Sequence, residues 1–385
     1  MTIQVSRTQV RLDELVASFA TTSAERDRAR TLPRTELDAL SEAGLLATSV
    51  PTSHGGLGAG ALVAIETTRR LATADPSIAQ IPQSHFVYLR IAEIAGSPEL
   101  KDALFSDVLR GARVANAQSE RGGKTITDLS TTIRFDGDTA VVDGEKFYCT
   151  GSLTADWLAV LAVEGETQHV AFLPADSPGV TIEDDWTGMG QRTTASGTVR
   201  LDGVRVPRGF VAPRAEVVTG PHALGAFAQG LHAAIDAGIA RGALTEAAAF
   251  VRTSSRPWFE AGVERADEDP LLVQRFGELE VEVRAAESTL MTAADAIDHV
   301  VDDATASAAS LAVATAKVLA DRAAISVTNA LFELAGTRSA DDRLDLHRHW
   351  RNARTHTLHD PVRWKLQHLG RWAVRGEQPP RGPQL

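Results

Sequence analysis

Two apolar runs in the middle of the chain, Trp157-Leu-Ala-Val-Leu-Ala-Val163 and Val170-Ala-Phe-Leu173, decide the fold class. Each run is short, rich in aliphatic residues and bounded by turn-forming residues, which is typical of β-strands. Segments with alternating apolar residues surround them, for example Thr131-Thr-Ile-Arg-Phe135 and Gly197-Thr-Val-Arg-Leu201. The pattern predicts a compact antiparallel β domain over residues 112–215.

The regions on either side of this β domain have the periodicity of helices. Residues 1–111 predict an N-terminal helical domain, in which Asp75-Pro76 marks one helix start. Residues 216–385 are rich in alanine, and a final helix is expected after Pro361. Three long amphipathic stretches with few helix breakers complete a predicted four-helix bundle: 224–252, 271–299 and 303–335. The predicted fold class is α+β with three domains.

The composition is that of an ordinary globular protein, with 385 residues of which 43% are apolar. The net charge of −11 makes nucleic acid an improbable partner, because phosphate binding needs a basic face. No apolar run is long enough to span a bilayer, and the N-terminus has no signal-peptide core. Cys149 is the only cysteine, which excludes an internal disulfide and a cysteine-rich zinc site. We therefore expect a cytoplasmic protein without a metal.

Short motifs in the β region and after it resemble the flavin-contacting segments of the acyl-CoA dehydrogenase superfamily. They occur in the same order as in that family, and the helical–β–helical organisation agrees with its fold. The motifs are Ala115-Asn-Ala-Gln-Ser-Glu-Arg-Gly-Gly123, Gly144-Glu-Lys-Phe-Tyr-Cys-Thr-Gly151, Gly188-Met-Gly-Gln-Arg192, Thr194-Ala-Ser-Gly197 and Leu334-Ala-Gly-Thr-Arg338. The resemblance covers residues from about 10 to about 375 and implies an acyl-CoA dehydrogenase-like fold.

The resemblance also implies which residues hold a flavin. Hydroxyl groups can bond the polar edge of the ring, Trp186 offers a flat wall, and arginines can pair with phosphate. By resemblance, Arg256 corresponds to an arginine that reaches flavin phosphate across a subunit interface, so a homotetramer is expected. The expected flavin-binding residues are Ser119, Thr150, Trp186, Thr194, Ser196, Arg256, Gly336 and Arg338.

The segment Arg351-Asn-Ala-Arg-Thr-His356-Thr-Leu-His359-Asp360-Pro361 distinguishes between two activities. Asp360 and Pro361 predict a helix start, with Asp360 as the N-cap. His359 would then lie at the positive end of that helix, where the dipole disfavours the imidazolium form. In acyl-CoA dehydrogenases the position of Asp360 holds a glutamate that removes the proton α to a thioester. The histidine pair instead resembles the reduced-flavin monooxygenases of this superfamily, such as dibenzothiophene monooxygenase and related sulfur-compound oxygenases.

That resemblance implies a two-component enzyme. A separate NAD(P)H-dependent flavin reductase would supply FMNH2, and oxygen would add to the flavin as a C4a-hydroperoxide. One oxygen atom would then pass to a small substrate, for which the resemblance implies an organosulfur compound. A positioned donor near the peroxide oxygens and a dry pocket are the requirements of this chemistry. The expected catalytic residues are His359, Asn116, Thr150 and His356, and the expected substrate-binding residues are His85, Tyr88 and His356.

Three alternatives stay open at the level of sequence. The first is an FAD-dependent acyl-CoA dehydrogenase with Asp360 as the base. The second is the same oxygenase chemistry at an amine nitrogen or an aromatic carbon. The third is a flavin-binding homologue that has lost catalysis. We expect FMNH2 to bind more tightly than FAD, because Arg338 replaces a glycine and could close over a terminal phosphate.

Overall fold

The N-terminal region is a set of helices in the computed structural model, which describes residues 2–125 and 128–382. Asp75 caps one of these helices as the sequence predicts, because its carboxylate accepts from the backbone N–H groups of Ser77 and Ile78. The elements are α1 (Thr2–Ala20), α2 (Ser23–Ala29), α3 (Arg34–Glu42), α4 (Ala61–Ala74), α5 (Pro76–Ala95) and α6 (Pro98–Leu109).

The central region is one eight-stranded sheet whose strands run in the order β6-β7-β3-β2-β4-β5-β8, with β1 paired to β4 outside this path. The strands are β1 (Val114–Ala117), β2 (Thr132–Asp136), β3 (Thr139–Lys146), β4 (Trp157–Glu164), β5 (Thr167–Pro174), β6 (Val180–Ile182), β7 (Val199–Pro207) and β8 (Val211–Pro213). One face of the sheet packs on α5 and α6. Side chains on the other face of the sheet form a second apolar cluster.

The expectation of a wholly antiparallel domain is wrong for two strand pairs. β4 runs parallel to β1 over four residue pairs and meets β2 in parallel at Thr132 and Val163. The chain between β1 and β4 contains the β2–β3 hairpin, which is long enough for the return that a parallel pair requires. The remaining pairs are antiparallel.

The C-terminal region contains the three long helices that the periodicity predicts and the helix after Pro361. α8 is buried along most of its length because glycines let α4 approach it closely: a Cβ at Gly238 or Gly242 would overlap backbone carbonyls of α4. The helices are α7 (Arg214–Thr219), α8 (Leu224–Ser254), α9 (Pro270–Asp298), α10 (Asp303–Ala335), α11 (His347–His356) and α12 (Val362–Arg375). The sequence did not predict α11, which carries half of the histidine segment.

Candidate active site

Three hydroxyl groups predicted to bind flavin form one buried chain. Thr150 Oγ1 lies 2.8 Å from Ser196 Oγ, which lies 2.7 Å from Thr194 Oγ1. The hydroxyl of Thr194 donates its proton to the carbonyl oxygen of Gln191, 2.9 Å away. Ser196 therefore donates to Thr194, and Thr150 donates to Ser196, since each hydroxyl has one proton. Thr150 Oγ1 is left with a free lone pair that can accept an N–H group.

Backbone geometry places Thr150 in a tight turn a few residues beyond the end of β3. Tyr148 has φ of 58° and Gly151 has φ of 80°, so the chain turns sharply on either side of Thr150. The N–H of Cys149 donates to the carbonyl of Gly197 and that of Gly151 to the carbonyl of Thr194. A Cβ at Gly151 would lie 2.9 Å from Ile81 Cγ2 on α5, which explains the glycine. These bonds hold the hydroxyl chain together.

Two amide side chains, of Asn116 and Gln191, have buried polar atoms without partners among the described residues. Asn116 Oδ1 on β1, and both side-chain polar atoms of Gln191, make no hydrogen bond to any residue that the structure describes. Trp186 stands next to Gln191 and donates its indole N–H to the Gln191 carbonyl over 2.8 Å. Buried amides without partners are costly, whereas a flavin edge presents alternating donors and acceptors. Ser119, whose carbonyl accepts from Phe147, lies two residues after Ala117 at the end of β1. This set of groups fits a flavin ring.

The predicted catalytic His356 belongs to a buried ionic network that joins three helices. His356 Nδ1 lies 2.6 Å from Asp236 Oδ1, and its Nε2 lies 3.2 Å from His232 Nδ1. Lys317 Nζ lies 2.9 Å from Asp236 Oδ2 and also pairs with Asp321. Burial alone would raise the pKa of Asp236, but His356 and Lys317 together bring it below its ordinary range. The carboxylate is therefore ionised and accepts from both neighbours.

The ionised carboxylate determines the proton positions of the histidines. Because Asp236 can only accept, His356 Nδ1 carries a proton that it donates to the carboxylate, and His356 Nε2 shares a second hydrogen bond with His232 Nδ1. The ring of His232 stacks on His359, with centroids 3.8 Å apart. Burial, followed by the neighbouring titratable rings of His359 and His356, lowers the pKa of His232 well below its usual value. His232 is thus neutral, and its ring supports the ring of His359.

His359 is an exposed residue that lies against the ring of His232. The residue keeps exposed surface but is surrounded by protein, which together with the nearby His356 lowers its pKa below the usual value. A neutral imidazole can donate from one nitrogen and accept on the other, as the sequence predicts for this residue.

Asp360 is not the helix cap that the sequence predicts. Pro361 occupies the N-cap position of α12, and no side chain caps this helix start. The Asp360 carboxylate, which is 4% exposed, turns inward and pairs with Lys365 Nζ at 3.1 Å. An ion pair with a buried lysine outweighs the weaker bonds to helix N–H groups.

Helix α11 connects the histidines to the hydroxyl chain. Asn352 Oδ1, one turn before His356, accepts the backbone N–H of Gln191 over 2.7 Å. Gly190 lies against the Arg351 carbonyl so closely that a Cβ would overlap it. The loop that carries Gln191 and Thr194 is therefore docked on the helix that carries His356.

Sequence reasoning missed five residues of this site. Asn352 lies in the quoted segment 351–361 but received no role there, and His232 and Asp236 gave no motif. Lys317 and Asp321 lie in a helix that the sequence predicts only as part of the bundle. A usable signal was present: Asp236 follows His232 by four residues, and Asp321 follows Lys317 by four residues, within alanine-rich helices. Such spacing places both members of a pair on one helix face.

The substrate-binding role predicted for His85 does not agree with its position. His85 Nε2 lies 2.9 Å from the Leu46 carbonyl, and Nδ1 accepts the N–H of Val114 over 3.1 Å. Both ring nitrogens are therefore occupied by backbone groups, and the side chain is 1% exposed. Tyr88 is also buried, and its hydroxyl donates to Gln118 Oε1 over 3.1 Å. His85 is a structural anchor between α5 and β1.

Acid should destabilise the fold through His85. Burial lowers its pKa to about 4, whereas an unfolded histidine titrates near 6.5. Between these values the unfolded chain binds more protons, so stability is complete above about pH 6.5 and falls as the pH drops towards 4. This residue alone should remove about 3 kcal/mol of unfolding free energy between pH 7 and pH 4.

Urea unfolding of wild type and His85→Gln at several pH values measures this contribution. The variant should be less stable at pH 7 but should lose about 3 kcal/mol less on acidification. Equal acid sensitivity of the two proteins would refute the prediction.

The residues predicted to bind flavin phosphate lie together, apart from the hydroxyl chain. Arg338 donates to the carbonyl of Ser254 over 2.7 Å, and the hydroxyl of Ser255 donates to the carbonyl of Ala335. Arg256 follows directly and is exposed, and Gly336 has φ of 72°. No hydrogen bond or ion pair between described residues connects this corner with Thr150. The predicted flavin-binding residues thus form two groups within one subunit.

Comparison with known proteins identifies the family. The N-terminal, middle and C-terminal domains of acyl-CoA dehydrogenases match residues 6–112, 115–204 and 230–364. The chain belongs to the acyl-CoA dehydrogenase family. A butyryl-CoA dehydrogenase from Megasphaera elsdenii shares the fold, with a TM-score of 0.84 at 19% identity over 97% of this chain and 99% of that one.

Within the family, full-length homologues are flavin-dependent monooxygenases. Dibenzothiophene monooxygenase of Rhodococcus qingshengii is 32% identical, covering 95% of this chain and 92% of that protein. Probable FMNH2-dependent monooxygenase SfnC of Pseudomonas putida is also 32% identical, over 95% of this chain and 94% of its own. FMN-bound TdsC from Paenibacillus sp. A11-2 superposes with a TM-score of 0.93 at 31% identity, covering 98% and 100% of the two chains.

A third structure has a different kind of substrate in its name. Methanesulfinate monooxygenase MsuC from Pseudomonas fluorescens has a TM-score of 0.90 at 31% identity, covering 97% of this chain and 98% of that one.

Among the described residues no helix is both long and apolar enough to cross a membrane. The same residues contain no cluster of three or more acidic, histidine or cysteine side chains arranged for a metal.

Proposed function

We propose that this protein is the oxygenase of a two-component system and uses FMNH2 and O2 to oxygenate a small organosulfur compound. Bound reduced FMN would activate O2 and supply the two electrons that reduce its second oxygen atom to water. The observation that carries the proposal is the histidine group, in which His356 is bonded to Asp236 and His232, and His359 lies against the ring of His232. The names of the full-length relatives support the same chemistry.

The dehydrogenase alternative has no support from the position of Asp360. Proton abstraction next to a thioester requires a carboxylate that faces the substrate and is free to accept a proton. Asp360 is nearly fully buried and paired with Lys365. The hydrogen-bonded histidine network disfavours a homologue without catalysis.

The residues of the site have distinct expected tasks. His359, neutral and accessible, would donate a hydrogen bond to the oxygen atom that is being transferred. His232 would support its ring, and His356 with Asp236 would fix the orientation of His232. Thr150 would accept an N–H group of the reduced flavin. Asn116 would bond the polar ring edge next to it, because its Oδ1 has no other partner among the described residues.

The proposed substrate class is a small sulfur compound, because the relatives' names include dibenzothiophene and methanesulfinate. Oxygen transfer to an aromatic carbon or an amine nitrogen would use the same residues, and one structure of TdsC contains indole together with FMN. We propose FMN rather than FAD as the flavin, delivered by a separate NAD(P)H-dependent flavin reductase.

Supplying reduced flavin from outside tests this function. In air, the protein with FMNH2 and either dibenzothiophene or methanesulfinate should consume O2 and form an oxygenated product. Omitting the reductant or replacing O2 by nitrogen should abolish the product. Stoichiometric FAD in the purified protein, bleached by an acyl-CoA without oxygen, would contradict the proposal and favour the dehydrogenase.

We further propose a homotetramer in which Arg256 reaches the flavin phosphate of a neighbouring subunit. Arg256 is exposed beside Arg338, and the next residues include Trp258 and Phe259, which are 62% and 78% exposed. Exposed aromatic side chains of this kind are typical of subunit interfaces. Arg338 would hold the same phosphate.

Arg256→Ala and Arg338→Ala should each weaken FMN binding about ten- to a hundredfold, because a hydrogen bond to a charged group contributes about 1.5–3 kcal/mol. Fluorescence titration measures the affinity, and light scattering measures the assembly. Arg252→Ala, which removes another exposed arginine at the end of α8, is the matched control and should bind FMN normally. A fully active monomer would refute the shared site.

A further inference from the structure

Arg214 is a partly buried cation that forms no ion pair with any residue that the structure describes. It is the first residue of α7, directly after β8, and is half-buried. Its Nη1 donates to Gln118 Oε1 over 3.3 Å, and no carboxylate of the described residues forms an ion pair with it. A guanidinium has five N–H donors, so four of them have no partner within the described chain. Burial accordingly lowers the pKa of Arg214.

Three of the most deeply buried cations among the described residues are paired with carboxylates. Lys317 has Asp236 and Asp321, and Lys146, which is fully buried, has Glu120 at 2.6 Å. Arg26 has Asp75 and Glu36. Taking a charge out of water costs several kcal/mol unless an opposite charge compensates it. An anion supplied from outside the chain would compensate Arg214 in the same way.

The residues around Arg214 supply further hydrogen-bond donors. Gln118 Oε1, the one acceptor that Arg214 has, is shared with the hydroxyl of Tyr88 at 3.1 Å. Lys146 Nζ lies 3.3 Å from the Gln118 carbonyl. Gln118 Oε1 already accepts from two donors, and Arg214 has further N–H groups without a partner among the described residues. An acceptor with several oxygens would satisfy these groups. A small oxyanion has that chemistry, and guanidinium can hold two of its oxygens at once.

The cluster adjoins the proposed flavin site. Gln118 follows Asn116 by two residues in an extended segment, so both side chains point to the same face. Tyr88 lies on α5, which packs on β1. Lys146 ends β3, four residues before Thr150. An anion bound by Arg214 would therefore sit beside the wall that carries Asn116 and not at the distant corner of Arg256.

We propose that Arg214, supported by Gln118 and Tyr88, binds the anionic group of the substrate, and that the substrate is a small alkanesulfinate. This inference rests on the proposed oxygenase function and names its substrate class. The reaction is RSO2⁻ + O2 + FMNH2 → RSO3⁻ + FMN + H2O. A new S–O bond forms, sulfur and FMNH2 each lose two electrons, and the second oxygen atom leaves as water. An uncharged heteroaromatic compound would leave Arg214 without a partner.

Binding of methanesulfonate, an unreactive oxyanion, tests the site independently of catalysis. In calorimetric titrations the wild-type protein loaded with FMN should bind it, and Arg214→Gln should bind it about ten- to a hundredfold more weakly, as expected for the loss of a charge-assisted pair. Arg214→Lys keeps the charge but not the fork and should be intermediate. Arg90→Gln is the matched control, since Arg90 is also an interior arginine, bound to the His222 carbonyl, and should bind normally. Thermal unfolding of each variant verifies the fold.

Activity with two substrates separates this inference from the function on which it rests. We expect kcat/KM to be higher for methanesulfinate than for dibenzothiophene, and Arg214→Gln should reduce the former selectively. Oxygenation of dibenzothiophene but not of methanesulfinate would refute the inference and leave the oxygenase intact. Arg214-dependent sulfonate binding without any oxygenation would support the anion site and refute the oxygenase. Loss of FMN affinity in Arg214→Gln, with sulfonate binding unchanged, would assign Arg214 to the flavin instead.

Discussion

His359→Ala should lower the formation of oxygenated product about a hundred- to a thousandfold, the usual effect of removing one donor at a developing charge. FMN binding should change little, because the hydroxyl chain and the arginine corner are untouched. Reduced FMN should still react with O2, so hydrogen peroxide should replace the product. Product analysis together with a peroxide assay under FMNH2 supply measures both effects.

Three variants control this result. His359→Asn keeps a donor and should retain more activity than alanine. His347→Ala removes an exposed histidine of α11 that pairs with Asp342, and it should behave as wild type. Asp360→Asn should have a smaller effect than His359→Ala, because Asp360 is turned away towards Lys365. Anaerobic bleaching of the flavin by an acyl-CoA, lost in Asp360→Asn, would instead establish the dehydrogenase.

Lys317→Met should lower the unfolding free energy by about 3–5 kcal/mol, the usual effect of removing one partner of a buried ion pair. The substitution leaves Asp236 and Asp321 close together in the interior, where burial and Asp236 already raise the pKa of Asp321. A carboxyl group whose pKa is higher in the folded than in the unfolded state makes the folded protein less stable as the pH rises. The deficit should therefore grow from about pH 5 to about pH 8. Urea unfolding at several pH values measures it.

Lys146→Met is the matched control for this prediction. Lys146 is as completely buried as Lys317, but its partner Glu120 also accepts backbone N–H groups of Ser130 and Thr131. Glu120 therefore stays bonded, and the loss should be smaller than for Lys317. Adding Asp321→Asn to Lys317→Met should restore part of the stability, because one carboxylate then remains with His356. A loss below about 1 kcal/mol for Lys317→Met would show that the network is not held by this cation.

Local patterns in the sequence were sufficient for the helices and for most of the sheet. The three long C-terminal helices begin and end within a few residues of the predicted bounds, because apolar spacing and capping residues act through neighbours in the chain. The order of short motifs was sufficient for the family. Thr150, Thr194 and Ser196 were each predicted singly, and adjacent backbone segments bring them into one chain of hydroxyls.

The partners of the charged and histidine side chains were decided only by tertiary structure. His356 meets Asp236 across 120 positions of sequence and His232 across 124. Asp360 and His85 were assigned wrongly from local patterns, since Lys365 and the backbone of Leu46 and Val114 compete for them. Capping and periodicity depend on residues a few positions away, whereas the partner of a buried polar group depends on which helices pack together.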